Sequence, residues 1–271
     1  MSSAKAVPVL MYHHVGPHPG LVTVSPEIFT SHMEYLAARG YTTLAADDFL
    51  EFLRGRHPIP AKSVLITFDD GYLDNYVHAY PVLRRLGQRA TIFAVTGWIG
   101  DGPARIGLPL ICPDHKACKA AILGGKADSV MLRWAEIEEM EASGTIEIHS
   151  HTHTHTRWDQ QIPDGIARLE KMHEDLALSR AMLQVRLGRK SSHLCWPQGY
   201  FQHDYQEAAM ALGFDALYTT RRDLNTPSTS PQDIGRIVVK DKAGVWFANR
   251  LQIYSSPFLG GLYTRLRRLK G

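Results

Sequence analysis

Cysteine is scarce in this 271-residue chain: only Cys112, Cys118 and Cys195 are present. Three cysteines cannot all pair with one another, and no C-x-x-C clip offers a structural zinc site. A reducing compartment is therefore expected. Long apolar runs are missing as well. No stretch approaches the roughly 18–20 apolar residues of a spanning helix. The apolar stretch at residues 6–11 is interrupted by Pro8 and is too short for a signal-peptide core, so a cytoplasmic location is expected. Charge of one sign is also lacking. A formal net charge of +3 and the absence of any nucleic-acid motif argue against a nucleic-acid partner. There is no internal repeat, no biased tract and no dividing linker. With 44% hydrophobic and 21% charged residues, the composition is that of a globular protein able to bury a large core. The expectation is one domain over residues 1–254, followed by a short tail over 255–271.

Short apolar runs bounded by turn residues predict strands at 7–12, 63–68, 90–95, 144–148, 194–196, 216–219 and 234–239. Between them, helical spacing predicts helices. One begins at Pro26 behind a Ser25 cap, carries Phe29, Met33, Leu36 and Ala37, and stops at Gly40. Others bury Tyr76, Tyr80 and Leu83 before Gly87, or span 134–141, 166–187 and 205–212. Residues 97–129 form a long irregular stretch, long enough to be a functional loop over a site. Strands alternating with helices predict an α/β fold with a parallel sheet, since parallel neighbours need crossover connections. In such a barrel the C-terminal strand ends share one face. His13, Asp69, Asp70, the tract at 149–155 and Gln198 all follow strand signals, which predicts a shared site.

Two constellations carry chemistry. In Thr67-Phe68-Asp69-Asp70-Gly71, adjacent carboxylates on a regular strand would face opposite ways. At a strand end, with Gly71 free to take unusual dihedrals, both can turn toward one site. The competing reading is a simple Asp-Gly turn capping the next helix. The second is Glu147-Ile148-His149-Ser150-His151-Thr152-His153-Thr154-His155. Two histidines four apart on a helical turn share a face and can share a metal. Both His149/His153 and His151/His155 have that spacing, and spacing alone leaves the choice open. A histidine-rich surface tract is the bland alternative, against which stands its position directly after an apolar strand. Carboxylates plus histidines suit zinc, and also cobalt, nickel or manganese, with an open position that would activate water.

These motifs resemble the polysaccharide deacetylases of the NodB-homology type, carbohydrate esterase family 4, over roughly residues 7–239. The family motif T-F-D-D-G stands at residues 67–71, and E-I-G-[NS]-H-T-x-x-H aligns with residues 147–155. The resemblance implies a deformed (β/α)7 barrel and a hydrolase that removes an N-acyl, most commonly N-acetyl, group from an amino sugar. It makes Asp70, His151 and His155 the ligands of one divalent metal and Asp69 the general base. In the third motif, Pro197-Gln198-Gly199, the backbone N–H of Gln198 would face the oxyanion. Two departures stand out. Many members carry an arginine two residues before that proline, where this chain has Cys195. Many also carry a C-terminal L-x-H, which is missing after Pro197. The N-terminal Tyr12-His13-His14-Val15 resembles the Y-H-x-V of circularly permuted members, and His13, or its neighbour His14, would then be the acid.

The tail places Phe258, Leu259, Leu262, Tyr263, Leu266 and Leu269 at helical spacing among Arg265, Arg267, Arg268 and Lys270. Such a basic amphipathic helix can lie on the inner face of a membrane or dock on the barrel. A cytoplasmic address would favour a lipid- or nucleotide-linked acetamido sugar over wall polymer. Two rivals keep less of this reading: a deformylase or non-sugar amidohydrolase with the same machinery, and a non-catalytic sugar-binding module suggested by the two departures. No feature of the sequence speaks to oligomeric state.

Overall fold

Buried apolar runs form the staves of a curled parallel sheet. They are β1 (Val9–Tyr12), β2 (Ser63–Asp70), β3 (Ala90–Ala94), β4 (Ile146–Ser150), β5 (His193–Cys195), β6 (Ala216–Tyr218) and β7 (Ile237–Val238). This computed structural model describes residues 3–107, 110–242 and 244–268. The strands pair in parallel in the order β7-β1-β2-β3-β4-β5-β6. A parallel bridge from Tyr218 to Ile234, just before β7, joins the two ends. The first strand in sequence thus lies beside the last. The α/β barrel expected from the sequence is what forms.

The helices are α1 (Pro26–Ala38), α2 (Ala46–Leu53), α3 (Tyr80–Arg85), α4 (His115–Leu123), α5 (Trp134–Ala142), α6 (Trp158–Gln161), α7 (Gly165–Leu187), α8 (His203–Ala211), α9 (Val245–Ser255) and α10 (Pro257–Arg268). At the start of α1, Ser25 Oγ accepts from the Ile28 N–H and Pro26 occupies the first turn, because proline needs no donor partner there. Helix α2 was not among the expected helices, although Phe49, Leu50 and Leu53 recur at helical spacing behind Asp47 and Asp48. It plugs the N-terminal end of the barrel, where Phe49, Leu50, Phe52 and Leu53 pack with Val7, Val9 and Leu65.

Strand alternation divides the core. Along β2, Val64, Ile66 and Phe68 join the outer layer with Phe29, Leu83 and Ile137, whereas Leu65 faces inward with Phe93, Cys195 and Tyr218. The same period of two aims Thr67 and Asp69 into the barrel. Several expectations needed correction, among them the strand expected at 234–239, which is only Ile237–Val238. The expected strand at 144–148 instead runs from Ile146 to Ser150, so the histidine tract begins inside the sheet. The irregular stretch at 97–129 contains α4 and a 3-10 turn at Ala127–Ser129. The helix after β2 opens with a π-turn, Asn75–Ala79, before α3. Leu269 and Lys270 of the tail lie outside the described residues.

Gly235 shows how tightly the segment before β7 is held. A Cβ there would sit 2.8 Å from the Asp223 carbonyl oxygen and 2.9 Å from its nitrogen, and backbone cannot swing aside as a side-chain tip can. Gly235→Ala is expected to cost ~1–3 kcal/mol, read as a fall in the urea midpoint. An unchanged midpoint would mean that the segment shifts freely.

Candidate metal centre and active site

The C-terminal end of β2 delivers two carboxylates to the barrel mouth by different means. Asp69 points inward through ordinary alternation. Asp70 would point out, but its φ of 74° turns the chain, and Gly71 continues the turn at 88°. The pivot is therefore Asp70 itself and not Gly71 alone. Asp70 Oδ1 lies 3.4 Å from His151 Nε2 and 3.5 Å from His155 Nε2, and these three side chains form a metal-competent group.

The spacing and chemistry of this group fit a divalent ion. A tetrahedron with bonds of ~2.1 Å has edges of about 3.4 Å. Asp70 Oδ1 is buried and has no hydrogen-bond partner, a condition that costs free energy unless something else satisfies the oxygen. His151 Nδ1 pairs with the Cys195 carbonyl at 2.8 Å, which makes Nδ1 the donor and leaves the Nε2 lone pair free.

The two histidines are not on a helical turn, as the i, i+4 spacing had implied. His151 follows β4 directly, and the chain then reverses through Thr152 and His155, both left-handed at φ 67° and 60°. Asp175 of α7 holds this reversal. Its carboxylate accepts from the backbone N–H groups of His153 and Thr154, the Thr154 hydroxyl and the Trp158 indole. The other pair is excluded by position. His149 lies deeper in the barrel with Nδ1 on the Ser191 hydroxyl, and His153 Nδ1 pairs with the Thr96 hydroxyl.

Asp69 is clamped by a residue that the sequence reading did not single out. Arg236 donates Nη1–H to Oδ1 at 2.6 Å and Nη2–H to Oδ2 at 2.8 Å, and Nη2 also lies 3.0 Å from Cys195 Sγ. Burial would raise the Asp69 carboxyl, but the Arg236 charge and its hydrogen bonds hold it below its usual value. The one signal available was a lone arginine in the apolar run Ile234-Gly235-Arg236-Ile237-Val238-Val239.

His13 stands beside this pair, with Nε2 3.8 Å from Asp69 Oδ2. Burial lowers its pKa, opposed by the Asp69 and Asp70 charges. The neighbouring His14 is committed elsewhere. Its Nδ1 pairs with Asp74 at 2.5 Å, its Nε2 with His115 at 3.1 Å, and its ring stacks on Tyr72. His115 comes from α4, so the 97–129 segment does reach the rim. Gln198 takes a left-handed φ of 56° within the turn Pro197–Gly199, and its side-chain oxygen accepts from Arg157.

The sequence profile of a family described as polysaccharide deacetylase matches residues 56–217. The chain is 44% identical over 94 residues to YxkH of Bacillus subtilis, covering 35% of this chain and 33% of that protein. It is 22% identical over 223 residues to the poly-β-1,6-N-acetyl-D-glucosamine N-deacetylase of Staphylococcus aureus, covering 82% and 69%. The matched part thus spans about a third of the length of the Bacillus relative. Among solved structures, IcaB from Ammonifex degensii superposes with a TM-score of 0.74 at 26% identity, over 94% of this chain and 99% of that one. Streptococcus pyogenes PplD in complex with acetate superposes at 0.75 and 20% identity, over 94% and 100%, which shows a shared fold.

The clamp makes a stability prediction with a definite sign. Arg236→Met leaves Asp69 buried without its partner and should cost ~3–5 kcal/mol at pH 7. Because the pair depresses the Asp69 pKa, its contribution is present above the unfolded value of ~3.9 and fades as pH falls toward the folded one. Urea curves of wild type and variant should therefore converge below about pH 4. Curves that stay equally far apart on acidification would assign the loss to packing.

Proposed function

Because the chain belongs to the polysaccharide deacetylase family, we propose that it hydrolyses the acetamide of N-acetylated amino sugars, with oligomers or polymers of N-acetylglucosamine as the substrate class. The observation that carries this reading is the buried, unpartnered Asp70 Oδ1 facing two imidazole nitrogens, beside a carboxylate held ionised by Arg236. The name of the Staphylococcus relative supports the choice of sugar.

Asp70, His151 and His155 would hold one divalent ion, zinc or else cobalt, nickel or manganese, which when bound supplies Lewis acidity and lowers the pKa of water. Asp69 takes a proton from the attacking water. Its oxygens keep free lone pairs even with the guanidinium docked on both. The new C–O bond forms as the carbonyl oxygen gains charge, and the backbone N–H of Gln198 is the donor proposed for it. When the C–N bond breaks, His13 gives the leaving nitrogen a proton, and the products are acetate and a free amine. At 3.8 Å from Asp69, His13 can recover the proton that Asp69 accepted. The occupied ring nitrogens of His14 favour His13 as the acid.

The non-catalytic alternative drew support from Cys195 in the position of the usual arginine. Arg236 removes that argument, since a guanidinium reaches the carboxylate from the segment before β7.

Acetate release from chito-oligomers and from β-1,6-linked N-acetylglucosamine oligomers should vanish on chelation and return with zinc, cobalt or nickel. Asp69→Asn and His13→Ala should each lower kcat/KM by ~10²–10⁴. A His13→Ala enzyme within about threefold of wild type would remove His13 from the mechanism. Nucleotide- and lipid-linked acetamido sugars, an N-formyl sugar and a simple acetamide in the same panel would expose a different substrate class.

A second test moves the arginine from the segment before β7 to β5. Arg236→Ala should lose at least ~100-fold in kcat/KM and move the acid limb of its pH profile upward, because a carboxylate without its cation holds its proton to higher pH. Adding Cys195→Arg should recover at least about tenfold and return the limb toward its wild-type position. If the double variant stays as inactive as the single one, the two positions are not equivalent.

A further inference from the structure

Helix α10 is docked by one side and leaves apolar side chains on the other. On its docked side, Gly260 approaches so closely that a Cβ would lie 2.4 Å from Leu224 Cδ2 and 2.9 Å from the Ile253 carbonyl. The Tyr263 ring meets Tyr254 edge-on at 6.1 Å, and its hydroxyl accepts from Arg250. On the other side Phe258, Leu262 and Leu266 are 78%, 52% and 49% exposed, with Leu259 beside them at 38%. Positions i, i+4 and i+8 form one ridge along a helix, so the apolar ridge faces solvent. This reverses the pattern of an ordinary docked helix, whose apolar stripe faces the core.

Charge segregates in the same region. From Lys242 to Gly271 the chain carries six basic residues, Lys242, Arg250, Arg265, Arg267, Arg268 and Lys270, and no aspartate or glutamate. Since the whole chain has a formal charge of +3, this segment contributes +6 and the remainder −3. An exposed apolar ridge within a purely basic segment matches the boundary of an anionic bilayer, where hydrocarbon lies beneath negative headgroups. Among the described residues no helix is long and apolar enough to cross a membrane.

We propose that α10 lies flat on anionic phospholipid, with Phe258, Leu262 and Leu266 at the headgroup boundary and the exposed Arg265 beside them paired with a lipid phosphate. The proposal is independent of the catalytic reading, and its test does not use activity. The full-length chain is floated with phosphatidylcholine vesicles with and without ~30% phosphatidylglycerol, at low and high salt. Binding should be at least ~10-fold stronger to the anionic vesicles and weaken with salt. The double variant Leu262→Glu with Leu266→Glu should lose at least about tenfold of it. Arg265→Glu should weaken binding to anionic vesicles and leave binding to neutral ones unchanged. Because these positions are solvent-facing, the variants should melt with wild type, which separates lost binding from lost folding. Equal flotation of wild type and the double variant, or no flotation of wild type, overturns the proposal. So does a wild-type dimer that the double variant dissolves while neither binds vesicles, since the ridge would then be a self-association surface.

Discussion

The paired hydrogen bonds between Arg236 and Asp69 set the terms for the rest of the barrel interior. Both groups are buried, and a lone charge in that position would be costly. Each therefore requires the other, and the requirement ties the C-terminal end of β2 to the segment leading into β7 across the intervening β1. Cys195, on β5 across the interior, is the third member, with Sγ 3.0 Å from Arg236 and 3.7 Å from both Asp69 oxygens. A second arginine in place of Cys195 would bring two guanidinium groups to one carboxylate, and like charges in low dielectric repel strongly. The small, uncharged cysteine is what lets Arg236 enter from the other strand.

Strain gathers at the same end of the barrel. Among the described residues four non-glycine positions have positive φ: Asp70, Thr152, His155 and Gln198. Two are candidate metal ligands, one lies between ligands, and one is the candidate oxyanion donor. Such backbone costs of order 1–3 kcal/mol each and persists only where its surroundings over-determine it. Thr152 is the extreme case, because a β-branched residue fits that region poorly. Its compensations are specific: its N–H donates to the Ser150 hydroxyl, its own hydroxyl accepts from the His155 N–H, and Asp175 takes the two amides between them. A turn free to relax would flatten into extended chain and carry His155 away from Asp70.

Much of this was legible in the sequence, and what was not has physical causes. Most strands read well because they are continuous buried runs. The helix at 26–38 read well because Ser25 and Pro26 fix its start. Asp70 and the histidine tract read as a site because both follow strands, and parallel strands share one functional end. The left-handed turns were not legible: Asp and His enter that region more often than most residues but far less readily than glycine, and Thr and Gln seldom do. Helix α2 was legible but went unread: Asp47 and Asp48 in its first turn and Phe49, Leu50 and Leu53 on one face form an ordinary amphipathic pattern. Arg236 was missed because an arginine inside an apolar run reads as an interruption until its partner, 167 positions away, is placed beside it.

The choice between the two histidine pairs illustrates how an ambiguity of spacing ends in strand geometry. On a helical turn the pairs would be equivalent, and only family resemblance separated them. Because β4 extends to Ser150, alternation sends both His149 and His151 inward, but two residues apart along a strand is ~6.6 Å of depth. His149 therefore sits a layer below the mouth, its ring tilted against His193 at 4.5 Å and paired with Ser191. Burial there pushes its pKa down to about 4, so it is held as a neutral interior side chain. His151 is the first inward residue past the end of the ladder, level with Asp70, whose strand partner Ala94 is in turn paired with Ser150. From that depth only a reversed chain can bring a second imidazole back to the same carboxylate oxygen. The left-handed turns at Thr152 and His155 make that reversal, and His155 rather than His153 is the residue it returns.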